Sequence, residues 1–265
     1  MAADSPGDPS TLFSVAGKSV LVTGGSRGVG YNIARGFLSA GATVTITARK
    51  ADACKAAAEE LSAIGSCTAV PGDVSTSEGI AALVEALAST HQSLDVLVNN
   101  AGAAWGVPLE EYPRDAWDKV LDVNVKGVFE LTVGLLPLLR AAASADDPAR
   151  VVNIGSVEGI QVPVLENYAY PASKAAVHML TRHLALRLAG EHITVNAIAP
   201  GPFDSKMMAF VLDDPAGRES VRSHVPLGRV GRPDDLAGAA LFLTSRAGAY
   251  LTGVILPVDG GITAR

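Results

Sequence analysis

The run Tyr170-Pro171-Ala172-Ser173-Lys174 places a phenol and an ammonium four residues apart. On a helix turning ~100° per residue, such a pair lies about 40° apart on one face. A phenol with its ordinary pKa near ~10 is a poor acid–base group at neutral pH. A neighbouring ammonium favours the phenolate and lowers that pKa, so the pair could exchange a proton with a substrate oxygen. Tyr-x-x-x-Lys alone arises often by chance. Here it follows Asn99-Asn100-Ala101-Gly102, Asn124 and Ser156, and precedes Pro200-Gly201. Tyr168 is six residues from Lys174, about 240° round a continuous helix, so Tyr170 is the acid–base candidate. Pro171 suits the first turn of a helix. Ser156 follows an apolar run and could bond a substrate oxygen.

A second cluster reads Thr23-Gly24-Gly25-Ser26-Arg27-Gly28-Val29-Gly30. It follows a strand pattern and opens a helix pattern, where free N–H groups and the helix dipole favour an anion. Glycines let the backbone approach a pyrophosphate and let the helix pack closely on the strand. The spacing is G-x-x-x-G-x-G, and Tyr31 stands where a P-loop would carry lysine. About twenty residues on, an NAD site wants an acid for the ribose 2′-hydroxyl. The chain has Thr47-Ala48-Arg49-Lys50 instead. Arg49 and Arg27 therefore suit a 2′-phosphate, which a guanidinium grips well. Asp73 could cap the following helix or bond an adenine amine. Gly24-Ser26-Gly28 also matches the hydrolase nucleophile elbow, a less favoured alternative because only one strand precedes Ser26.

The elements that must hold these residues alternate. Strand patterns occur at Ser19–Val22, Ala42–Thr47, Cys67–Val70, Asp95–Val98, Arg150–Ile154, Ile193–Ile198 and Val254–Val258. Helical stretches occur at 29–39, 52–64, 75–90, 114–143, 171–189 and 233–244. The central strands are nearly all apolar, as expected where both faces are covered. The β-α alternation predicts an α/β fold: a single doubly wound domain, its seven-stranded parallel sheet covered by helices on both faces. Residues 1–14 read as a loose tail and 15–265 as the domain. Residues 201–232 read as an irregular substrate lid.

The 265 residues carry a formal charge of −6, with 48 % hydrophobic and 18 % charged residues. That composition supports a large core and argues against a nucleic-acid binder. Two cysteines cannot build a disulfide framework or zinc cluster, and the histidines are not spaced as metal ligands, so no metal is expected. No apolar run reaches the ~18 residues of a membrane span, and the N-terminus lacks a secretory h-region. These features read as cytoplasmic, with no membrane partner.

TGGSRGVG, NNAG, NVKG at Asn124, GS at Ser156, YPASK and PG at Pro200 together resemble the short-chain dehydrogenase/reductase family, from Lys18 to Gly261. The resemblance implies a Rossmann-like domain and commonly a homotetramer, with a homodimer as the alternative. It implies Tyr170 as general acid/base, Lys174 as ribose-binding helper, Ser156 as carbonyl orienter and Asn124 as holder of a relay water. It places NADP(H) along Gly24, Ser26, Arg27, Gly28, Val29, Gly30, Arg49, Asp73, Val74, Asn100, Ala101, Gly102, Tyr170, Lys174, Pro200, Gly201 and Ser205. Ser205 stands where the family often has threonine. The chain is most similar to 3-oxoacyl-reductase-like members. One departure is the second tyrosine in Asn167-Tyr168-Ala169-Tyr170.

The expected activity is NADP(H)-dependent reduction of an apolar or 3-oxoacyl ketone to a secondary alcohol. The small substrate could be delivered by an acyl carrier protein. The alternative from another class is an NADP-binding regulatory protein without turnover. Ala104, Trp105, Ile160, Val162, Phe203, Met207 and Phe210 are candidate pocket walls, whereas Glu158 and Glu166 read as solvated.

Overall fold

Short β-branched runs flanked by amphipathic helices form strands when each strand face has a helix to bury against. The computed structural model describes residues 8–264, so the first seven residues of the expected tail lie outside the described residues. Helix α1 is one short turn, Pro9–Leu12. The Phe13 ring lies 6.5 Å from that of Phe242, so this part of the expected loose tail packs on the domain.

Strand β1 (Ser19–Thr23) leads into α2 (Gly28–Ser39), then β2 (Thr43–Thr47), α3 (Ala51–Ser62), β3 (Cys67–Ala69), α4 (Ser77–Thr90) and β4 (Val96–Asn99). Next come α5 (Arg114–Leu121), a π-helical turn (Asp122–Lys126), α6 (Gly127–Gly134), α7 (Leu136–Ala142), β5 (Ala149–Ile154) and α8 (Ala169–Leu188). The chain ends with β6 (Ile193–Pro200), α9 (Ala209–Leu212), α10 (Pro215–His224), α11 (Pro233–Thr244) and β7 (Ile255–Val258). All seven strands are parallel, in the order β3-β2-β1-β4-β5-β6-β7. The order reverses between β1 and β4, which opens a crevice at their carboxyl ends.

Side chains alternate faces as the pleat requires. Val20, Val22, Val98 and Val152 join Phe37 and Leu236 in one core layer. Leu21, Leu97 and Val151 join Leu87, Leu131 and Leu184 in the other. Each fully buried aliphatic side chain contributes roughly 1.5–3 kcal/mol. The doubly wound α/β fold is as expected.

Two segments differ from expectation. The stretch 114–143 is not one helix. It widens into a π turn at Asp122–Lys126 and breaks again before α7, where Pro137 lacks an amide hydrogen. A Cβ on Gly127 would lie 2.2 Å from the Val74 carbonyl, so close backbone packing holds the first break. The segment 201–232 is more ordered than its sequence suggests. It contains α9 and α10, and a bridge between Phe203 and Gly231 closes its base.

Candidate active site

The crevice is built by stapling two loops. Thr23, at the end of β1, accepts the amide hydrogens of Asn100 and Ala101 on its hydroxyl, both at 2.9 Å. Asn100 Nδ2 donates back to the Thr23 carbonyl at 2.7 Å. This draws the Asn100-Ala101-Gly102 turn after β4 against the glycine turn. Gly30 makes the approach possible, because a Cβ there would lie 2.3 Å from Asn100 Nδ2. Thr23 is a residue whose role sequence reasoning missed, although it directly precedes the motif.

The glycine turn presents α2 as an open N-terminus. Its N-cap, Arg27, makes no side-chain capping bond. The first-turn amides therefore have no protein acceptor among the described residues, as an anion-binding helix start requires. Gly28 has φ +57°, and a Cβ there would rest 3.6 Å from Ser205, so Ser205 reaches this turn from beyond β6. Arg27 and Arg49 are both exposed and neither forms an ion pair among the described residues.

Asp73 is half-buried and accepts the Ser75 amide at 2.9 Å and the Ser75 hydroxyl at 2.6 Å. Burial would raise its pKa, but the Ser75 bonds and the Arg49 charge outweigh that and hold it down. Asp73 does not cap α4, because Thr76 does so by accepting from Gly79. Val74 backs the π turn. Gly201, after Pro200 at the end of β6, packs against Asp259. Ser26 is half-buried and makes no bond to a histidine among the described residues, so the hydrolase alternative has no base here.

The second half of the site lies at the ends of β4 and β5. The π turn places Asn124, 1 % exposed, inward. Its Oδ1 accepts from the Ala103 amide at 2.8 Å, and its Nδ2 donates to the Ala103 carbonyl and to Ser173 Oγ, both at 2.9 Å. Ser173 donates in turn to the Tyr170 carbonyl at 2.6 Å. The Asn124 side chain is thus fully engaged with protein. Such π turns recur at functional sites because they re-aim backbone and side chain.

Tyr170 and Lys174 share one face of α8. The Lys174 ammonium lies 5.5 Å from the Tyr170 ring centroid and donates to the Ile154 carbonyl at 2.7 Å. Two of its three hydrogens remain available toward the crevice. Gly102 is beside both groups that bound it, since a Cβ there would lie 3.4 Å from Asn124 Oδ1 and 3.8 Å from Lys174 Nζ. Tyr168 faces elsewhere. Its hydroxyl donates to Glu166 at 3.0 Å and its ring packs edge-on against Tyr112 at 5.3 Å.

The electrostatics depart from expectation. Burial pushes the Tyr170 phenol up to about 12, although a hydrogen bond with Ser156 opposes the rise. The neighbouring Lys174 ammonium, over the Tyr170 ring, does not offset that rise, and burial brings Lys174 itself down to about 8. Ser156 is 6 % exposed, and its Oγ accepts from the Glu158 amide at 3.1 Å. Glu158 is half-buried rather than solvated and accepts from Asn167 Nδ2 at 2.8 Å. Burial raises its pKa despite that bond. Of the expected pocket walls, Phe203 is a core side chain, whereas Val162, Met207 and Phe210 are exposed.

A family model described as enoyl-(acyl carrier protein) reductase matches residues 24–263. The chain belongs to the short-chain dehydrogenase/reductase family. It is 52 % identical over 249 residues to the rhamnolipids biosynthesis 3-oxoacyl-[acyl-carrier-protein] reductase of Pseudomonas aeruginosa, across 94 % of this chain and 97 % of that protein. It superposes on the Pseudomonas aeruginosa RhlG/NADP active-site complex with a TM-score of 0.94 and 51 % identity, covering 96 % of this chain and 99 % of the other. A gluconate 5-dehydrogenase from Burkholderia cenocepacia, in complex with NADP and tartrate, matches with a TM-score of 0.90 at 30 % identity, over 97 % and 100 % of the two chains. As a short-chain dehydrogenase/reductase the protein is an oxidoreductase acting on small molecules. No described helix is long and apolar enough to cross a membrane.

Proposed function

We propose that the protein reduces a ketone to a secondary alcohol with NADPH, and runs the reverse reaction with NADP. The observation that carries this reading is the convergence of Ser156, Tyr170 and Lys174 in a crevice that also holds an open helix N-terminus with no protein anion on it among the described residues. The open α2 amides fit a pyrophosphate, and unpaired Arg27 and Arg49 fit a 2′-phosphate. Bound there, the nicotinamide group supplies the hydride for the carbonyl carbon.

The chain's own residues do the rest. Ser156 donates to the carbonyl oxygen and fixes its direction. Tyr170, protonated at neutral pH, hydrogen-bonds the same oxygen and delivers a proton as negative charge develops there. Lys174 presents its free hydrogens to ribose hydroxyls and, as a nearby cation, steadies the phenolate left behind. Asn124 holds Ala103 and Ser173 so that Tyr170 keeps its register, in addition to the relay role that the family implies for it. Asp73, Val74 and the Asn100-Ala101-Gly102 turn form the crevice wall, with Pro200, Gly201 and Ser205 opposite. Residues 201–232 act as the substrate lid, with exposed Met207 and Phe210 available to an apolar substrate portion.

Phe129 and Val133 on α6 and Met179 and Leu186 on α8 are exposed apolar side chains that suit a contact with further copies, in a tetramer or dimer. Free Cys54 and Cys67 suit the reducing cytoplasm. The test is loss of NADPH absorbance with 3-oxoesters, cyclic ketones and diketones. Tight NADPH binding without turnover on any of them would favour the regulatory alternative.

A further inference from the structure

Helix α8 begins at Ala169, one residue before the proposed acid Tyr170, and its N-cap Tyr168 makes no side-chain capping bond. Ala169 is fully buried, so its amide, one of the orphan donors of a helix start, needs a protein acceptor. It finds one 57 residues back in the chain, where the Tyr112 hydroxyl accepts its hydrogen at 3.2 Å. The same hydroxyl donates to the Trp105 carbonyl at 3.3 Å. One phenol oxygen thus joins the start of α8 to the loop that follows β4. Val107 makes a second tie between these segments, its amide donating to the Glu166 carbonyl at 3.2 Å. The Tyr112 ring is held from both sides, edge-on to Tyr168 at 5.3 Å and to Trp117 of α5 at 6.1 Å. Lys119, also on α5, stands 4.5 Å from the centre of the Trp105 ring. Edge-on pairs have a preferred geometry, so the ring fixes where its hydroxyl points. The extra tyrosine before Tyr170 therefore has a use, since Tyr168 seats Tyr112.

We propose that Tyr112 is a positioning residue for ketone reduction: its hydroxyl caps the helix that carries Tyr170 and ties down the loop that carries Trp105, a clamp that keeps the two in one register. The proposal rests on the reductase reading, with Tyr170 as its acid. Without the hydroxyl, the Ala169 amide has no acceptor among the described residues. The first turn of α8 must then shift or fray until that donor is satisfied. Tyr170 is the next residue, so the shift moves its phenol relative to Ser156, which sits on a separate turn after β5. The loss also frees the Trp105 carbonyl, so the loop after β4 keeps only its Val107 tie to the α8 side. The glycine turn and the Thr23–Asn100 staple lie on other segments and keep their bonds.

The test is Tyr112→Phe, which keeps the ring and both aromatic pairs and removes only the oxygen. Amide hydrogen exchange of the protein without ligands, read by mass spectrometry, should quicken in the peptides covering 103–112 and 165–175. Well below the melting temperature, kcat for ketone reduction should fall about tenfold, less than the ~10²-fold that a misplacement of about 1 Å can cost. NADPH affinity, read by fluorescence titration, should stay within about twofold of the parent. A cap that served stability alone would quicken exchange and leave kcat unchanged, and that result overturns the proposal. So does a fall in kcat without faster exchange in both segments. A loss of NADPH affinity as large as the loss of kcat overturns it too, because the damage then lies in the cofactor crevice. Exchange needs no ketone, so faster exchange in a protein that reduces no ketone sinks the reductase reading and leaves the clamp standing.

Discussion

Arg27 and Arg49, just past the ends of β1 and β2, are exposed and form no ion pair among the described residues. Lys174, beside the end of β5, is 4 % exposed with one hydrogen on the Ile154 carbonyl. The same chemical need, a cation near a polar ligand, is met in water at one end of the crevice and in a dry interior at the other. At the exposed end the charges cost little to hold and are screened by salt, which suits the proposed role of selecting a 2′-phosphate. At the buried end desolvation dominates. It drives Tyr170 and Lys174 in opposite directions, and both toward their neutral forms. Specificity can thus come from surface charge, whereas proton transfer depends on burial.

The largest expected effect breaks the buried end. Tyr170→Phe should lower kcat/KM for ketone reduction by about a thousandfold, within the range for loss of a general acid. NADPH binding, read by fluorescence titration, should change by less than about threefold, because only a hydroxyl is lost. Tyr168→Phe should keep most activity, since its hydroxyl meets Glu166 outside the site. A dead Tyr168 variant beside an active Tyr170 variant would reverse the assignment.

Lys174→Met should cost about a hundredfold in kcat/KM while making the fold more stable near pH 7. The sign follows from linkage. The pKa of Lys174 is lowered to about 8 in the folded chain, so between that value and an unfolded pKa near ~10.4 the unfolded state binds more protons. The parent therefore gains stability as pH rises through this window, and carries the full cost of a buried ammonium below it. Thermal melts should show the Met variant ahead by a few degrees, on the order of 1 kcal/mol after loss of the Ile154 bond, with the gap closing by pH ~10. A variant less stable than the parent at every pH would mean that the Ile154 bond outweighs desolvation.

Gly30→Ala attacks the staple that joins the two ends. Its Cβ must displace Asn100 Nδ2 or the Gly24 carbonyl. NADPH affinity should fall by about thirtyfold, with a melting-temperature loss of several degrees. Unchanged binding would show that the two loops can separate without harm.

The exposed end should give the smallest effect. Arg49→Ala should raise KM for NADPH by about tenfold, or ~1.4 kcal/mol, and leave KM for NADH nearly unchanged. The parent's preference for NADPH over NADH should also be about tenfold and shrink with added salt. Equal efficiency with both cofactors would remove the 2′-phosphate argument and leave the buried end untouched.

The two ends also differed in how legible they were. Gly24, Gly28, Gly30 and Arg49 are local features, a turn and the residue ending a strand, so spacing alone placed them on one edge. Tyr170 and Lys174 were legible for the same reason, as an i,i+4 pair. Their protonation was not, because it depends on how much water the neighbouring elements exclude. Glu158 read as solvated because a glutamate usually is; only the fold of 156–167 brings Asn167 over it. The break after Leu121 was hidden because nothing in Asp122–Lys126 interrupts the helical spacing as proline would, and what holds the turn is the Val74 carbonyl against Gly127 and the Ala103 hydrogen bonds to Asn124, from segments about twenty residues or more away in sequence.

By itself the sequence determined the alternation of strands and helices, the two faces of the sheet and the order of the motifs along the crevice. These follow from periodicity and from backbone geometry that glycine and proline impose locally. The tertiary structure alone decided that Arg150 lies fully buried with its guanidinium on Asp147, Pro148 and Ser245, that Thr23 staples two distant loops, and that burial raises the Tyr170 phenol rather than lowering it. Burial and long-range hydrogen bonding are properties of what surrounds a residue, and those neighbours come from chain segments up to about a hundred residues away.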